Sequence, residues 1–576
     1  MTDPMWRPAA PADGPVRPPG PPVRSPGPAR VLSHGSAPAG SPTPAAIPSV
    51  APAAVPSAVP DQGADPARTA GRASDGLARA AGVTVALSMA GSVFGLVRDQ
   101  GIAHLFGAGA ESDAFLVAWT VPEVAATVLI EDAMALLMVP AFSGALARGG
   151  AVTGLVSRTL PRLLALLAVL TAALAAGAPW VVGALAPGLA DPSAAVACTR
   201  LTSVSVLTFG LAGYLSAALR AHRRFVPPAA IYVAYNLGIV ATLYALHGRF
   251  GIESAAAGVA VGGALMVAIQ LPAALREMRG SRPLPVTPPN PHRALGLALL
   301  APVVLFTLGR QAQVLVERYF AAPLPPGAIS HLNYAQKVAQ LPMALSVVIC
   351  TVTFPAVSRA LAEGDRERAR ARVERDLTLA CVVVLIGTAY VIACAPQIIH
   401  VLFQRGEFTA ADTAATAAVM RVYALGLLGQ SLVGALVRPY FSAARPTWYP
   451  AGSMAVGLLV TALADGLTVG PWGAYGIAAG NAAGITVTAG LLLRGLGAHS
   501  VAIRARAIAP GLTRTVLCAA VAALSGWLTA ARLPGALSAA VVCGLVVPAA
   551  FAAAAVAVRV PELPYLLATV RRKARR

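Results

Sequence analysis

Charged side chains are scarce in this chain, and the few inside its apolar stretches are the ones able to do chemistry. They are Arg98-Asp99, Asp113, Glu123, Glu131-Asp132, Arg310, Glu317-Arg318 and Lys337. Bond-breaking chemistry needs a nucleophile with its base, or a metal set, and the familiar spacings for these are missing. The eight histidines are dispersed, HExxH does not occur, and there is no nucleophile elbow. No phosphate-binding GK[ST] is present, since Lys337 precedes Val338 and Lys573 precedes Ala574. The six cysteines (Cys198, Cys350, Cys381, Cys394, Cys518, Cys543) form no CxxC pair, so they read as small core residues rather than metal ligands or disulfides. An ionisable group within an apolar span is costly and functional by default. The chemistry expected is therefore the binding and movement of a charged ligand, with no catalysis and no cofactor.

The elements that hold these residues are membrane spans. Of 576 residues, 57% are apolar and 12% charged, against about 25% charged in soluble domains. A net charge of +20 would point to nucleic acid in a soluble chain. Here 42 of the 44 cations are Arg, and their placement follows membrane topology instead, so no nucleic-acid partner is expected. Residues 1–77 are of another composition. Eighteen prolines fall within the first 66 positions, and such a stretch cannot bury enough apolar surface to offset its chain entropy. It has no continuous apolar run, so it reads as a disordered Pro/Ala-rich tail rather than a signal peptide.

From residue 78, stretches long enough to cross a bilayer follow closely, a crossing needing about 20 residues. Fourteen are expected: 78–106, 113–147, 158–186, 195–219, 227–247, 253–275, 294–317, 328–358, 376–401, 414–437, 448–467, 471–493, 513–531 and 535–558. The second exceeds one straight crossing and contains Pro122, which predicts a kinked helix that extends beyond the membrane. Connections after even-numbered spans, with the C-terminal tail, carry 28 Lys or Arg; those after odd-numbered spans carry 5. This asymmetry places both termini in the cytoplasm, as an even span count requires.

An internal repeat shapes the fold. Residues 139–149 read VPAFSGALARG and 354–364 read FPAVSRALAEG, identical at seven of eleven positions. Ala178-Pro179 matches Ala395-Pro396, and Arg200 matches Arg421, at nearly the same offset. The offset covers six spans, so both halves share one orientation, related by a pseudo-two-fold axis along the membrane normal. The expected all-α polytopic architecture is a tail (1–77), two parallel six-helix bundles (78–276 and 294–494), two added helices (510–558) and a basic cytoplasmic tail (559–576). Two such bundles enclose a central cavity, and the span charges are candidates to line it. Alternatives stand beside this reading. Glu317-Arg318 also reads as an interfacial ion pair, Asp113 as an N-cap of the second span, and Arg98 as a partner of Asp99. Lys337 has a polar helical face made by Tyr334, Gln336 and Gln340.

Three segments carry a resemblance: GLVRDQGIAHLFGAGAESDAFLVAWTVPE (95–123), LNYAQKVAQLP (332–342) and FQRGEFTAADTAATAAVMRVYALGL (403–427). They resemble the first-loop, eighth-helix and tenth-helix regions of the MurJ/MviN family. The likeness extends over about residues 78–560. It implies a fourteen-helix lipid II flippase of the multidrug/oligosaccharidyl-lipid/polysaccharide exporter superfamily. Such a protein carries undecaprenyl-diphosphate-linked muropeptide from the cytoplasmic to the outer leaflet of the bacterial cell membrane. Its implied partners are that lipid, the membrane and cell-wall synthesis proteins.

By this resemblance Arg98, Asp113, Glu131 and Lys337 (where Arg is usual) are substrate-binding positions. The residues themselves add Arg310 as a further cation from the opposite half. The sequence departs from the family pattern at Ser92 and Ala126, where Arg is usual, and at Ala444-Arg445-Pro446, where the family has Gly-Asp-Thr. A diphosphate carries about two negative charges and needs cations from several helices to replace its water. Arg98, Arg310 and Lys337 could supply that set. The two missing arginines leave open an exporter of another polyprenyl-linked glycan or of a small amphiphile, and a membrane scaffold without transport is the third reading.

Overall fold

The protein's structure is a computed structural model that describes residues 66–147, 152–279, 293–343, 363, 365–441, 447–499 and 505–559. Most of the expected tail, Cys350, the repeat segment 354–364 apart from Glu363, the 444–446 turn and residues 560–576 lie outside the described residues. The long helical unit runs from Ala70 onward, and its described residues contain helices and connections but no strand. This is the economy a bilayer imposes, because a helix satisfies its backbone polar groups within one segment.

The first half begins with α1 (Pro66–Phe106) and α2 (Ala110–Ala125). A π-helical segment (Ala126–Met138) then runs into α3 (Val139–Ala147). Next come α4 (Val152–Ala176), α5 (Ala178–Leu185), α6 (Pro192–Thr202), α7 (Val204–Ala221), α8 (Val226–Phe250) and α9 (Glu253–Arg279). The second half holds α10 (Arg293–Ala321), α11 (Ala328–Ala339), α12 (Arg366–Phe403), α13 (Ala410–Ala424), α14 (Leu427–Phe441), α15 (Tyr449–Trp472) and α16 (Ala474–His499). Finally α17 (Ala505–Ala530) and α18 (Ala536–Ala557) pack on each other and on α12. Helix α1 starts twelve residues before residue 78, the expected start of the first span. Pro66 takes a first-turn position that needs no amide hydrogen, and no proline follows it before Pro122.

Ten of the described helices, or runs of helix, are long and apolar enough to cross a membrane, and the bent pair α13–α14 adds an eleventh. Helices α1 and α10, of 41 and 29 residues, occupy the expected spans 78–106 and 294–317. Helix α11 opens the expected span 328–358, which continues outside the described residues.

The repeat is visible in how the helices break. In the first half the third span is interrupted at Gly177, just before Pro179, between α4 and α5. In the second half α12 is kinked at Cys394, just before Pro396. Both prolines withdraw a helical hydrogen bond and crowd the preceding turn. The fourth span breaks at Ser203 in one half and between Ala424 and Leu427 in the other, where the bend is 47°. Among the described residues six glycines have positive φ, and they also form pairs, Gly107 with Gly327, Gly188 with Gly406 and Gly251 with Gly473. Their separations are 220, 218 and 222 residues, so the two halves turn at equivalent points.

Candidate substrate-binding site

Two of the expected cations, one from each half, meet on a single carboxylate. Asp99 on α1 is buried and accepts from its neighbour Arg98 through Nε (3.0 Å) and an Nη (2.7 Å), both to Oδ1. Its Oδ2 lies 3.0 Å from Lys337 Nζ on α11. Arg98 is also buried, with its other Nη donating to Asn236 Oδ1 on α8 at 3.2 Å. Asn236 is fixed in turn by donating to Gly91 O and Tyr232 O. The Arg98 guanidinium carbon stands 4.2 Å over the ring of Trp119 on α2, and Lys337 Nζ stands 6.0 Å from the same ring. Four helices thus converge on one cluster with two cations and one anion. Such a cluster keeps one net positive charge for a ligand, while Asp99 keeps the cations from facing low dielectric unpaired.

The other expected residues are placed differently. Asp113 does not cap its own helix; Gly109 and Ser112 do that. Its carboxylate reaches across to the opposite half and caps α11, accepting from Gly327 N (2.7 Å), Ser330 N (2.7 Å) and Ser330 Oγ (2.6 Å). Glu131 is exposed on the π-helical segment and accepts from Tyr232 Oη at 3.1 Å. Arg310 is exposed on α10 and, among the described residues, joins no hydrogen bond or ion pair with the Asp99 cluster. Ser92 is exposed and donates to Ser88 O of its own helix.

Glu317 and Arg318 do not form the interfacial pair considered from the sequence. Both are buried and turn to different partners. Glu317 accepts from Tyr423 Oη (2.8 Å) and from the Asn481 side-chain amide, while Arg318 donates to Ile329 O and Asn333 Oδ1. The five described cysteines are buried and unbridged, as expected for small core residues.

Sequence reasoning missed Trp119, Asn236 and Ser330. Asn236 was the most legible, because an amide within an apolar span is rare enough to mark an interhelical bond. Trp119 reads as ordinary core until its position over Arg98 is known.

On the face that carries the loop after α1, the halves touch largely through backbone groups. Glu407 N donates to His104 O at 3.0 Å, and Gln100 Nε2 to Leu402 O at 2.8 Å. Gly107 lies against Glu407 O, Gly406 against His104 O and Gly327 against Ala108 O. Tyr334 of α11 packs with Phe403 and Phe408 beneath this seam. Elsewhere between the halves a cleft of about 830 Å³ opens between α2, α4, α5 and α10. Its lining, which includes Val121, Val128, Leu174 and Leu315, is apolar. A charged headgroup has no partners there, whereas the Asp99 cluster offers two cations.

A repeated all-helical membrane architecture around a buried cluster of two cations and one anion defines a membrane carrier of charged amphiphiles. Comparison with known proteins gives the family. The model of the family described as lipid II flippase MurJ matches residues 102–546. The lipid II flippase MurJ of Burkholderia cenocepacia is 30% identical over 421 residues, covering 70% of this chain and 80% of that one. Among solved structures, a lipid II flippase MurJ in an inward closed conformation superposes with a TM-score of 0.67 at 19% identity, covering 82% of this chain and 99% of that one. An inward-facing multidrug resistance MATE family transporter of the MOP superfamily gives 0.57 at 13%, covering 75% and 99%. These two likenesses speak for the fold. The chain belongs to the MurJ family of lipid II flippases, a family of transporters rather than catalysts.

Proposed function

We propose that this protein moves undecaprenyl-diphosphate-linked muropeptide from the inner to the outer leaflet of the cell membrane by alternating access, with Arg98 and Lys337 holding the diphosphate. The observation that carries this reading is that one cation from each half shares Asp99. A ligand that takes the place of the Asp99 carboxylate would be gripped by both halves at once, so its binding energy differs between arrangements of the halves. That difference is what a carrier needs in order to move. Asp113 and the seam glycines act in this reading as the contact that closes one face. Glu131 lies toward the opposite end of α2 and its continuation. Fourteen spans with both termini cytoplasmic complete the picture, and the 28-to-5 distribution of cations supports it. A negative interior favours outward movement of an anion by about 2.3 kcal/mol per charge per 100 mV.

The test is complementation of a bacterial strain in which the native flippase can be depleted. Rescue of growth, with lipid II becoming accessible at the outer leaflet, is the expected result. Normal membrane abundance without rescue would overturn the lipid II assignment and favour another polyprenyl-linked cargo, the reading that Ser92 and Ala126 keep open.

A further inference from the structure

Trp119 belongs to no charged pair, yet both central cations lie over its ring. It is 7% exposed and cannot turn freely. Phe115 packs on it at 5.6 Å between centroids and Tyr235 at 6.0 Å, and Phe209 stands edge-on to Tyr235 at 5.3 Å. Its neighbour Thr120 faces the apolar cleft. The indole is thereby wedged with one face toward Arg98 and Lys337.

A guanidinium meets carboxylates and phosphates in its own plane, through its N–H fork, whereas aromatic rings stack on its face. The two kinds of contact do not compete. Asp99 fills the in-plane fork with Oδ1 and leaves Oδ2 to Lys337. An arriving phosphate must displace those bonds, and at that moment Asp99 no longer fixes either cation. The aromatic face does.

We infer that Trp119 is a positioning residue for anion transfer, a shared aromatic shelf that keeps Arg98 and Lys337 in place while Asp99 gives way to a phosphate group. The inference rests on the proposed function and names a residue that this reading does not include. A cation held over an aromatic face in a desolvated site is worth up to about 2 kcal/mol. Loss of the shelf should therefore weaken phosphate-lipid binding by roughly ten- to thirtyfold.

The test replaces Trp119 alone, by site-specific incorporation into the full chain, with tryptophans bearing one to four ring fluorines. Fluorination drains the negative face of the ring while hardly changing its shape. Binding of purified lipid II to each protein in nanodiscs is measured, together with thermal unfolding. The expected result is a stepwise fall in affinity with each fluorine at unchanged unfolding temperature. Trp119→Phe should fall within the series, and Trp119→Leu should bind weakest. Equal affinity across the series, with the unsubstituted protein binding, would overturn the shelf and leave the function standing. No binding by the unsubstituted protein would overturn both.

Discussion

At the scale of residues, the central cluster behaves as a unit with a spare partner. Removing Arg98 leaves Asp99 still paired with Lys337, and removing Lys337 leaves it paired with Arg98. Arg98→Ala and Lys337→Ala should therefore reach the membrane at near-normal abundance. Each loses one charged contact to a phosphate, about 1.5–3 kcal/mol, so outer-leaflet accessibility of lipid II in depleted cells should drop roughly ten- to hundredfold. Lys337→Arg keeps the charge and should keep activity; an inactive Lys337→Arg would show that a compact ammonium is needed. Asp113 behaves oppositely. Its carboxylate satisfies two amide hydrogens at the start of α11, and a lost cap costs about 0.5–2 kcal/mol. Asp113→Ala should lower the unfolding temperature in detergent as well as activity. A variant that loses transport at unchanged stability would instead place Asp113 among the ligand contacts.

Helices set how much of this was legible in advance. The apolar runs, the repeat and the proline breaks before Pro179 and Pro396 follow from local rules, and the architecture could be read from them. Arg98 and Lys337 were legible for the same reason, since an ionisable group in a span has few excuses. Their meeting on Asp99 was not, because it depends on α1 facing α11 across the seam, a relation that no local pattern encodes. For Asp113 the sequence offered a ligand contact or a cap of its own helix, and its cap of α11 in the other half was not legible because a cap and a long-range contact look alike in sequence. Arg310 shared a span type with Arg98 but is exposed and, among the described residues, joins no bond of the Asp99 cluster. The seam loops give an element-scale prediction. Gly406 has φ +62° and sits against His104 O, so Gly406→Ala adds both strain and a clash. The two halves should part there. A single cysteine at position 407, in a background without native cysteines, should be labelled faster by a membrane-impermeant maleimide in Gly406→Ala. Unchanged labelling would mean that the seam tolerates the methyl group.

The whole molecule has an orientation that can be checked. Trp180, Trp472 and Trp527 are exposed near span ends on the side of the first loop, and Trp448 is exposed at the other end of α15. A 24-residue helix such as α15 is about 36 Å long, so tryptophans at its two ends match the two interfaces of a bilayer with a core of about 30 Å. A reporter fused at residue 323 should read outside and one at 365 inside, and an outside signal at 365 would reverse the topology. The seam itself has a consequence for sequence drift. At Gly107, Gly327 and Gly406 the chain turns with positive φ while the other half's backbone lies against it. At each of the three the nearest atom is a backbone carbonyl oxygen, of Glu407, Ala108 and His104 in turn, so an exchange of neighbouring side chains cannot by itself make room for a change there. Most of the apolar surface can be rewritten one methyl group at a time, but these three positions admit a single amino acid. They should stay fixed in relatives whose helices have otherwise diverged beyond recognition.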